Sequence, residues 1–470
     1  MTMTPENNAA TQSKLLATFN QRVREKTAQV GIVGLGYVGL PIALLFSSKG
    51  ISATGFDIDS SKVDALRQGR SYIKHIPEAE ITEALRRKHF QATTDFAELR
   101  AMDAIIICVP TPLDDHREPD LAYIRNTAES ISTHLRPGQL VVLESTTYPG
   151  TTEEVVLPIL ERSGLRCPVV PYTLEDGKAV GSNSLDADFL LAFSPEREDP
   201  GNPSFKTHQV PKVVGGLNAE SAAATQMLYE AAFDKIVLVS SSRAAEMTKL
   251  LENIYRSVNI AMVNELKLLC LRMGLDIWEI ISAAKTKPFG FSAFYPGPGL
   301  GGHCIPIDPF YLTWKAREYE FPTRFIELAG EINTSMPHHV VERVAEALNH
   351  RSKCLHGGRI LVLGISYKKD VDDLRESPSL RIIKLLQDRG AIVDYNDPYF
   401  ERLHKMRNYD LGLASVPLTA ETLASYDAVV IATDHSSYDY EFIARHSQLV
   451  VDSRNATGKL VQHRNKIVQA

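Results

Sequence analysis

Between residues 29 and 57 the chain commits to one kind of architecture. An apolar run from Gln29 to Val33 leads into Gly34-Leu-Gly36-Tyr37-Val38-Gly39 and then into a helical pattern through Ser48. A second run, Ser52 to Phe56, ends at Asp57. Glycines spaced G-x-G-x-x-G between a strand and a helix permit a tight turn, close approach of a pyrophosphate and helix–strand contact; the helix N-terminus favours the phosphate charge. A carboxylate at the end of the next strand can accept hydrogen bonds from a ribose 2′-hydroxyl and repels a 2′-phosphate. The glycine pattern alone is a weak signal. With strand, helix and acidic residue in register it points to NAD rather than NADP, and a ligand-free glycine turn is the bland alternative.

Strand-like runs recur at 104–110, 140–145 and 189–193, separated by helical stretches, while 166–187 reads as an irregular loop. Strands alternating with helices argue for a doubly wound parallel sheet. From Ala219 to Met273 the pattern turns helical, and 245–273 forms one long apolar-periodic stretch of the kind that often packs against a partner subunit. Strands return at 359–363, 392–395, 428–432 and 449–451. The expected fold class is therefore α/β, with two Rossmann-like doubly wound domains joined by a central helical domain with a long helix. The expected boundaries are a mobile or helical extension over 1–28, then domains over 29–218, 219–355 and 356–470.

A chain of 470 residues has room for about three domains of roughly 150 residues. Hydrophobic content of 44%, charged content of 23% and a net charge of −6 describe an ordinary soluble protein with no basic surface for nucleic acid. Residues 1–28 lack the plan of a signal peptide, and the apolar run 31–46 is too short and too interrupted to span a membrane. A cytoplasmic protein without membrane contact is expected. The five cysteines are scattered, odd in number and without a C-x-x-C pair, which argues against a disulfide framework or a metal site.

One of those cysteines stands apart. Pro296-Gly-Pro-Gly-Leu-Gly301-Gly-His-Cys304-Ile-Pro-Ile-Asp308 presents a thiol from a loop of glycine and proline, with an aspartate four positions on. Cys108 and Cys270 sit in apolar runs and read as core filling. Cys304 does not, and is the candidate nucleophile. Lys249 and Asn253, four apart on the long helix, project from one face and can bind an oxyanion and position water; a solvated helix surface is the bland alternative. Thr146, in Glu144-Ser-Thr-Thr-Tyr-Pro-Gly150, follows a strand end and can reach a cofactor or water, although a Ser/Thr turn explains it equally. Glu196, in Phe193-Ser-Pro-Glu-Arg197, also follows a strand end, a common place for ligand contacts in α/β sheets.

Taken together, these motifs resemble the UDP-glucose/GDP-mannose dehydrogenase family over essentially residues 29–460. The resemblance rests on Gly34 to Pro41, Val109-Pro-Thr111-Pro112, Ser145-Thr146, Ser194-Pro-Glu196-Arg197, Lys249-x-x-x-Asn253, Asn264-Glu265, Gly301-Gly-His-Cys304-x-x-x-Asp308, and Gly364-Ile-Ser-Tyr-Lys-Lys-Asp370 with Asp373-Leu-Arg-Glu-Ser377. It implies an NAD-dependent, four-electron oxidation of a nucleotide sugar at C6, from alcohol to carboxylate. Cys304 would be the nucleophile, with Lys249, Asn253 and Asp308 serving the oxyanion and the water, and Thr146 and Glu196 helping to hold water and substrate. Gly34, Gly36, Tyr37, Val38, Gly39, Asp57, Thr111 and Thr146 would bind the cofactor. Glu196, Arg197, Lys249, Asn253, Tyr295, Gly301, Lys368 and Arg454 would contact the UDP-sugar. The resemblance also implies that 29–218 binds NAD, that 219–355 carries the cysteine loop and the contacts of a homodimer or higher oligomer, and that 356–470 binds UDP.

The string from Thr286 to Asp308, with His303 before the cysteine, looks like that of family members acting on UDP-N-acetylglucosamine in O-antigen and capsule pathways. UDP-glucose, UDP-N-acetylgalactosamine and UDP-N-acetylmannosamine are the rival substrates. Many relatives carry an arginine just before the glycine loop that reaches the neighbouring subunit's sugar; here Lys285 and Lys287 are the cations in that segment. A two-electron hydroxyacid dehydrogenase would leave Cys304 and residues 356–470 without a role. An NAD-sensing interaction protein would need no motif beyond the glycine fingerprint.

Overall fold

Burial decides which runs become strands. In the computed structural model, which describes residues 13–73, 76–114, 116, 118–181, 186–197, 206–302, 305–406 and 409–470, the chain divides into two units, 1–252 and 253–470. In the first unit the order is α1 (Lys14–Arg24), β1 (Gln29–Val33), α2 (Gly39–Ser48), β2 (Ser52–Phe56), α3 (Ser60–Arg67), α4 (Glu78–Arg86), β3 (Phe90–Thr93), β4 (Ala104–Ile107), α5 (Ala122–His134), β5 (Leu140–Leu143) and α6 (Leu157–Leu160). The hairpin β6 (Thr173–Glu175) and β7 (Lys178–Val180) follows, then β8 (Leu190–Phe193), β9 (Lys212–Gly216), α7 (Ala219–Glu230), β10 (Ile236–Leu238) and the long helix α8 (Ser242–Met273), which runs past the unit boundary.

The first sheet has the order β10-β9-β8-β5-β4-β1-β2-β3. Strands β3 through β8 in that order are parallel, β9 is antiparallel to β8, and β10 is parallel to β9. Strands β4, β5, β8 and β9 are buried at every position, as strands covered by helices on both faces must be. Two features differ from the sequence reading. The helical run from Ala219 is broken by β10, which joins the first sheet, so α7 also belongs to this unit and α8 starts at Ser242. The loop 166–187 contains a hairpin, turned by Asp176 and Gly177 with φ of 48° and 73°; its strands are almost wholly exposed and lack a period-2 apolar signal. Within the N-terminal extension, expected as mobile or helical, Lys14–Arg24 forms α1 and buries Leu16, Phe19 and Val23 in the first unit's core.

The second unit contains α9 (Ile277–Ala284), α10 (Asp308–Ala316), α11 (Arg324–Asn349), β11 (Arg359–Leu363), α12 (Pro378–Asp388), β12 (Ile392–Asn396), α13 (Ala420–Ala424), β13 (Ala428–Ile431), α14 (Tyr440–His446), β14 (Val450–Asp452) and β15 (Ile467–Gln469). Its sheet is parallel throughout, in the order β12-β11-β13-β14-β15. Alternate residues of β11 feed two cores, Ile360 and Val362 on one face, Leu361 and Leu363 on the other. Among the described residues no helix is long and apolar enough to cross a membrane.

Phe19 is only 2% exposed and packs into the core shared with β1 and α2. Phe19→Ala should therefore destabilise the first unit by about 3–5 kcal/mol. A thermal melt should show an earlier transition than wild type, whereas Lys14→Ala on the exposed side of the same helix should not move it.

Candidate active site

In a parallel sheet every strand ends at the same edge, so the residues after β1, β2, β4, β5 and β8 are gathered there. Gly34 has φ +94°, and a Cβ at that position would lie 2.6 Å from the carbonyl oxygen of Cys108. A Cβ on Gly39 would fall 1.9 Å from the Gly34 carbonyl oxygen, so the start of α2 can press against the turn only as glycine. Gly36 has no atom within 4 Å of where its Cβ would stand, leaving open space over the turn. The N-terminus of α2 carries no side-chain cap, and Tyr37 and Val38 are half-buried against the first core. These features fit a dinucleotide, because bare amides and room above Gly36 can accept a pyrophosphate. Asp57 is buried, accepts from the Leu35 amide at 2.9 Å and pairs with Lys62 at 3.4 Å. It therefore holds the glycine turn in shape. Thr111 is buried after β4, and Thr146 is half-buried after β5 beside Ser145, whose hydroxyl donates to the Val109 carbonyl at 2.8 Å.

Glu196 lies beyond β8, among charges that the sequence reading missed. The Lys212 ammonium, 2% exposed, donates to Glu144 at 2.9 Å and to Glu196 at 3.0 Å. The Tyr229 hydroxyl donates to the other oxygen of Glu144. Burial disfavours charge on Lys212, but the two carboxylates outweigh it and hold the ammonium above its ordinary range. Burial pushes Glu144 up to about 7, with Lys212 opposing that shift. The detectable signal was a charged residue at the site end of an apolar strand: Glu144 after Leu140–Leu143 and Lys212 opening 212–216.

Lys249 donates to the Glu196 backbone carbonyl at 2.6 Å and is 8% exposed, so it is no solvated surface lysine. The Arg197 guanidinium, expected at the substrate, is held by Glu252 at 2.6 Å and by the Pro211 carbonyl at 2.8 Å.

In the second unit Asn253 donates to Asp308 at 2.5 Å, and the two are 3% and 1% exposed. Asp308 opens α10. Cys304, with His303, lies outside the described residues. The glycine loop before it is shaped by close packing: Gly299 and Gly302 have φ of +136° and +84°, and a Cβ on Gly301 would lie 2.6 Å from the Cβ of Tyr367. The Gly297 amide donates to Asn264, which donates in turn to Asn333. Tyr295 is half-exposed and stacks on Trp278 with ring centroids 5.8 Å apart.

The second sheet repeats the turn of the first. Gly364 (φ +78°) follows β11 as Gly34 follows β1, and Asp397 follows β12 as Asp57 follows β2, accepting from the Ile365 amide at 2.7 Å. Here the carboxylate is backed by a buried histidine, His435, at 3.2 Å; hydrogen bonds and this partner hold it below the usual range despite burial. Lys368 is half-buried beyond this turn. Arg454, after β14, donates to the Ala432 carbonyl at 3.1 Å, and its guanidinium lies 2.6 Å from where a Cβ on Gly297 would stand.

A further unforeseen group is Glu246 on α8. It is fully buried and accepts from the Gly150 amide, the Thr152 amide and the Thr152 hydroxyl at 2.6, 2.9 and 2.7 Å. It thereby ties the segment after Thr146 to the helix that carries Lys249.

Comparison with known proteins agrees with this geometry. The UDP-glucose/GDP-mannose dehydrogenase family models match as an NAD binding domain over 28–233, a central domain over 243–335 and a UDP binding domain over 361–459. A UDP-N-acetyl-D-glucosamine 6-dehydrogenase of Pseudomonas aeruginosa is 34% identical over 415 residues, covering 88% of this chain and 92% of the relative. An NDP-N-acetyl-D-galactosaminuronic acid dehydrogenase of Ralstonia nicotianae is 35% identical over 431 residues, covering 90% and 95%. The solved UDP-D-ManNAc dehydrogenase of Pyrococcus horikoshii superposes with a TM-score of 0.80 at 31% identity, covering 94% of this chain and 98% of that one.

Burial pushes the Glu246 carboxyl up to about 7, against about 4.3 in an unfolded chain. The fold therefore binds this proton more tightly than the unfolded chain does, and the resulting stability is full below about pH 4 and lost as pH rises through 7. Glu246→Gln cannot titrate. Its melting temperature should fall less steeply than that of wild type between pH 5 and pH 8.

Proposed function

The chain belongs to the UDP-glucose/GDP-mannose dehydrogenase family, and from that premise we propose that it oxidises UDP-N-acetyl-D-glucosamine at C6 to the uronic acid. One observation carries the assignment of the reacting centre. Lys249, Asn253 and Asp308 are 8%, 3% and 1% exposed and are held by direct hydrogen bonds. Burying such groups costs several kcal/mol unless they are paired, and buried polar groups of this kind mark functional sites.

NAD supplies the hydride acceptor for both oxidations. The Lys249 ammonium stabilises the oxyanion that develops at C6. The Cys304 thiolate adds to the aldehyde carbon; loss of the second hydride leaves a thioester, which water hydrolyses to the carboxylate and the free thiol. Asn253 and Asp308 orient that water and Asp308 accepts its proton, with Glu196 and Thr146 holding water and sugar from the strand ends. Lys368 and Arg454 hold the UDP end, beyond the parallel strands of the second sheet. The N-acetylated sugar is favoured by the aromatic segment before the cysteine loop, where Tyr295 presents a half-exposed ring stacked on Trp278. A reducing cytoplasm suits a chemistry that needs a free thiol.

The working form is a homodimer. The outward side of α8 carries Met247, Leu251, Tyr255, Met262, Leu266, Leu269 and Met273, each between 37% and 60% exposed, at spacings that form one stripe. An apolar stripe of this length on a single helix is the expected footprint of a partner, and here the partner is a second copy.

Purified protein should release two NADH per UDP-N-acetylglucosamine. A robust signal with UDP-glucose or UDP-N-acetylmannosamine and none with this sugar would replace the substrate and keep the reaction. Cys304→Ala should lower turnover by at least about a thousandfold, as loss of a covalent nucleophile does. Light scattering should give a dimer for wild type and a monomer for the double variant Leu251→Glu, Leu269→Glu.

A further inference from the structure

We propose that Lys212 is a positioning residue of the C6 oxidation: it keeps the Glu196 carboxylate ionised and fixed at the strand edge, so that Glu196 accepts hydrogen bonds from water and sugar. The inference rests on the role given above to Glu196. Strand β9 runs antiparallel to β8, with Ala192 opposite Gly216 and Phe193 opposite Gly215. Continued beyond the strand, that register sets residue 196 opposite residue 212. The one reversed connection in the sheet thus delivers a lysine to the edge where the parallel strands end.

The surroundings of Lys212 leave its ammonium few other partners. It sits between Glu144 and Glu196 and lies 5.3 Å from the ring centroids of both Tyr229 and Phe233. Among the described residues, charged or titratable groups facing the cluster include Cys108 after β4, Glu144 after β5, Tyr229 from α7 and Lys249 from α8, with the Arg197–Glu252 pair alongside. Burial raises both the Cys108 thiol and the Tyr229 hydroxyl, so neither carries charge at neutral pH. Lys249 engages the backbone oxygen of Glu196 and not its carboxylate. Without a cation between them, a buried carboxylate (Glu144) and a partly buried one (Glu196) disfavour each other's ionisation. With Lys212 between them, the ammonium donates to one oxygen of each, and the other oxygen of Glu144 receives the Tyr229 hydroxyl.

Lys212→Met removes the charge and keeps the length. The expected result is a fall in kcat at pH 7 of about a hundredfold, the size of effect lost with one general acid–base group. KM for sugar and for NAD should change by less than about threefold, and the acidic limb of the kcat profile should move up by at least one pH unit. Lys212→Arg should return the limb towards its wild-type position. Glu144→Gln should move it the other way, to lower pH, because Glu196 then has the ammonium to itself; this variant decides the matter alone if Lys212→Met does not fold. An unshifted limb in folded Lys212→Met, an Arg variant no better than Met, or an unshifted Glu144→Gln overturns the proposal. A wild-type protein that reduces no NAD with any UDP-sugar rejects the parent assignment instead, whereas two NADH per sugar with unshifted variants rejects Lys212 alone.

Discussion

One long helix, α8, turns its polar side inward and fixes the loops around the candidate site residues of each unit. Along α8, Ser242, Glu246, Lys249, Asn253, Ser257, Asn264 and Lys267 are all buried. Each of those with a long polar side chain is tied to a loop or a neighbouring helix: Glu246 to Gly150 and Thr152, Lys249 to the Glu196 carbonyl, Asn253 to Asp308, Asn264 to Gly297 and Asn333, Lys267 to the Ala470 carbonyl. A buried donor without a partner costs roughly 1–3 kcal/mol, so every tether also specifies where its loop must sit. Leu250 and Val263 of the same helix are buried, but Leu251, Tyr255, Leu269 and Met273 stand outside.

The two sheets solve the same local problem with the same parts. In each, a glycine with positive φ ends the first strand and an aspartate after the neighbouring strand accepts from the next amide. The difference lies behind the carboxylate. Asp57 faces a partly exposed lysine, while Asp397 is sealed by His435. The first arrangement leaves a carboxylate within reach of a ligand, and the second makes it a fixture of the turn.

Much of this was legible along the chain because short-range rules wrote it. Period and register exposed β1, β2, β4 and β11 to β14 of the second sheet but not β15; the glycines of residues 34–39 need no tertiary context to be read as a phosphate turn. The family motifs located Glu196, Lys249, Asn253 and Asp308. What stayed hidden depends on long-range pairing. The exposed β6–β7 hairpin has no alternating pattern, and β10 is three residues long inside what reads as a helical run. Glu144, Lys212 and Tyr229 are separated by up to 85 positions, and nothing local announces that they meet.

The sequence by itself determined a dinucleotide turn, two α/β domains and a long helix, because each is encoded within a turn or two of the chain. Only the tertiary structure decided which side of the long helix is buried, which carboxylate shares a lysine with Glu196, and that Arg197 serves Glu252. Those outcomes follow from strand order and from the desolvation of charge. Both are properties of the packed sheet and not of any segment within it.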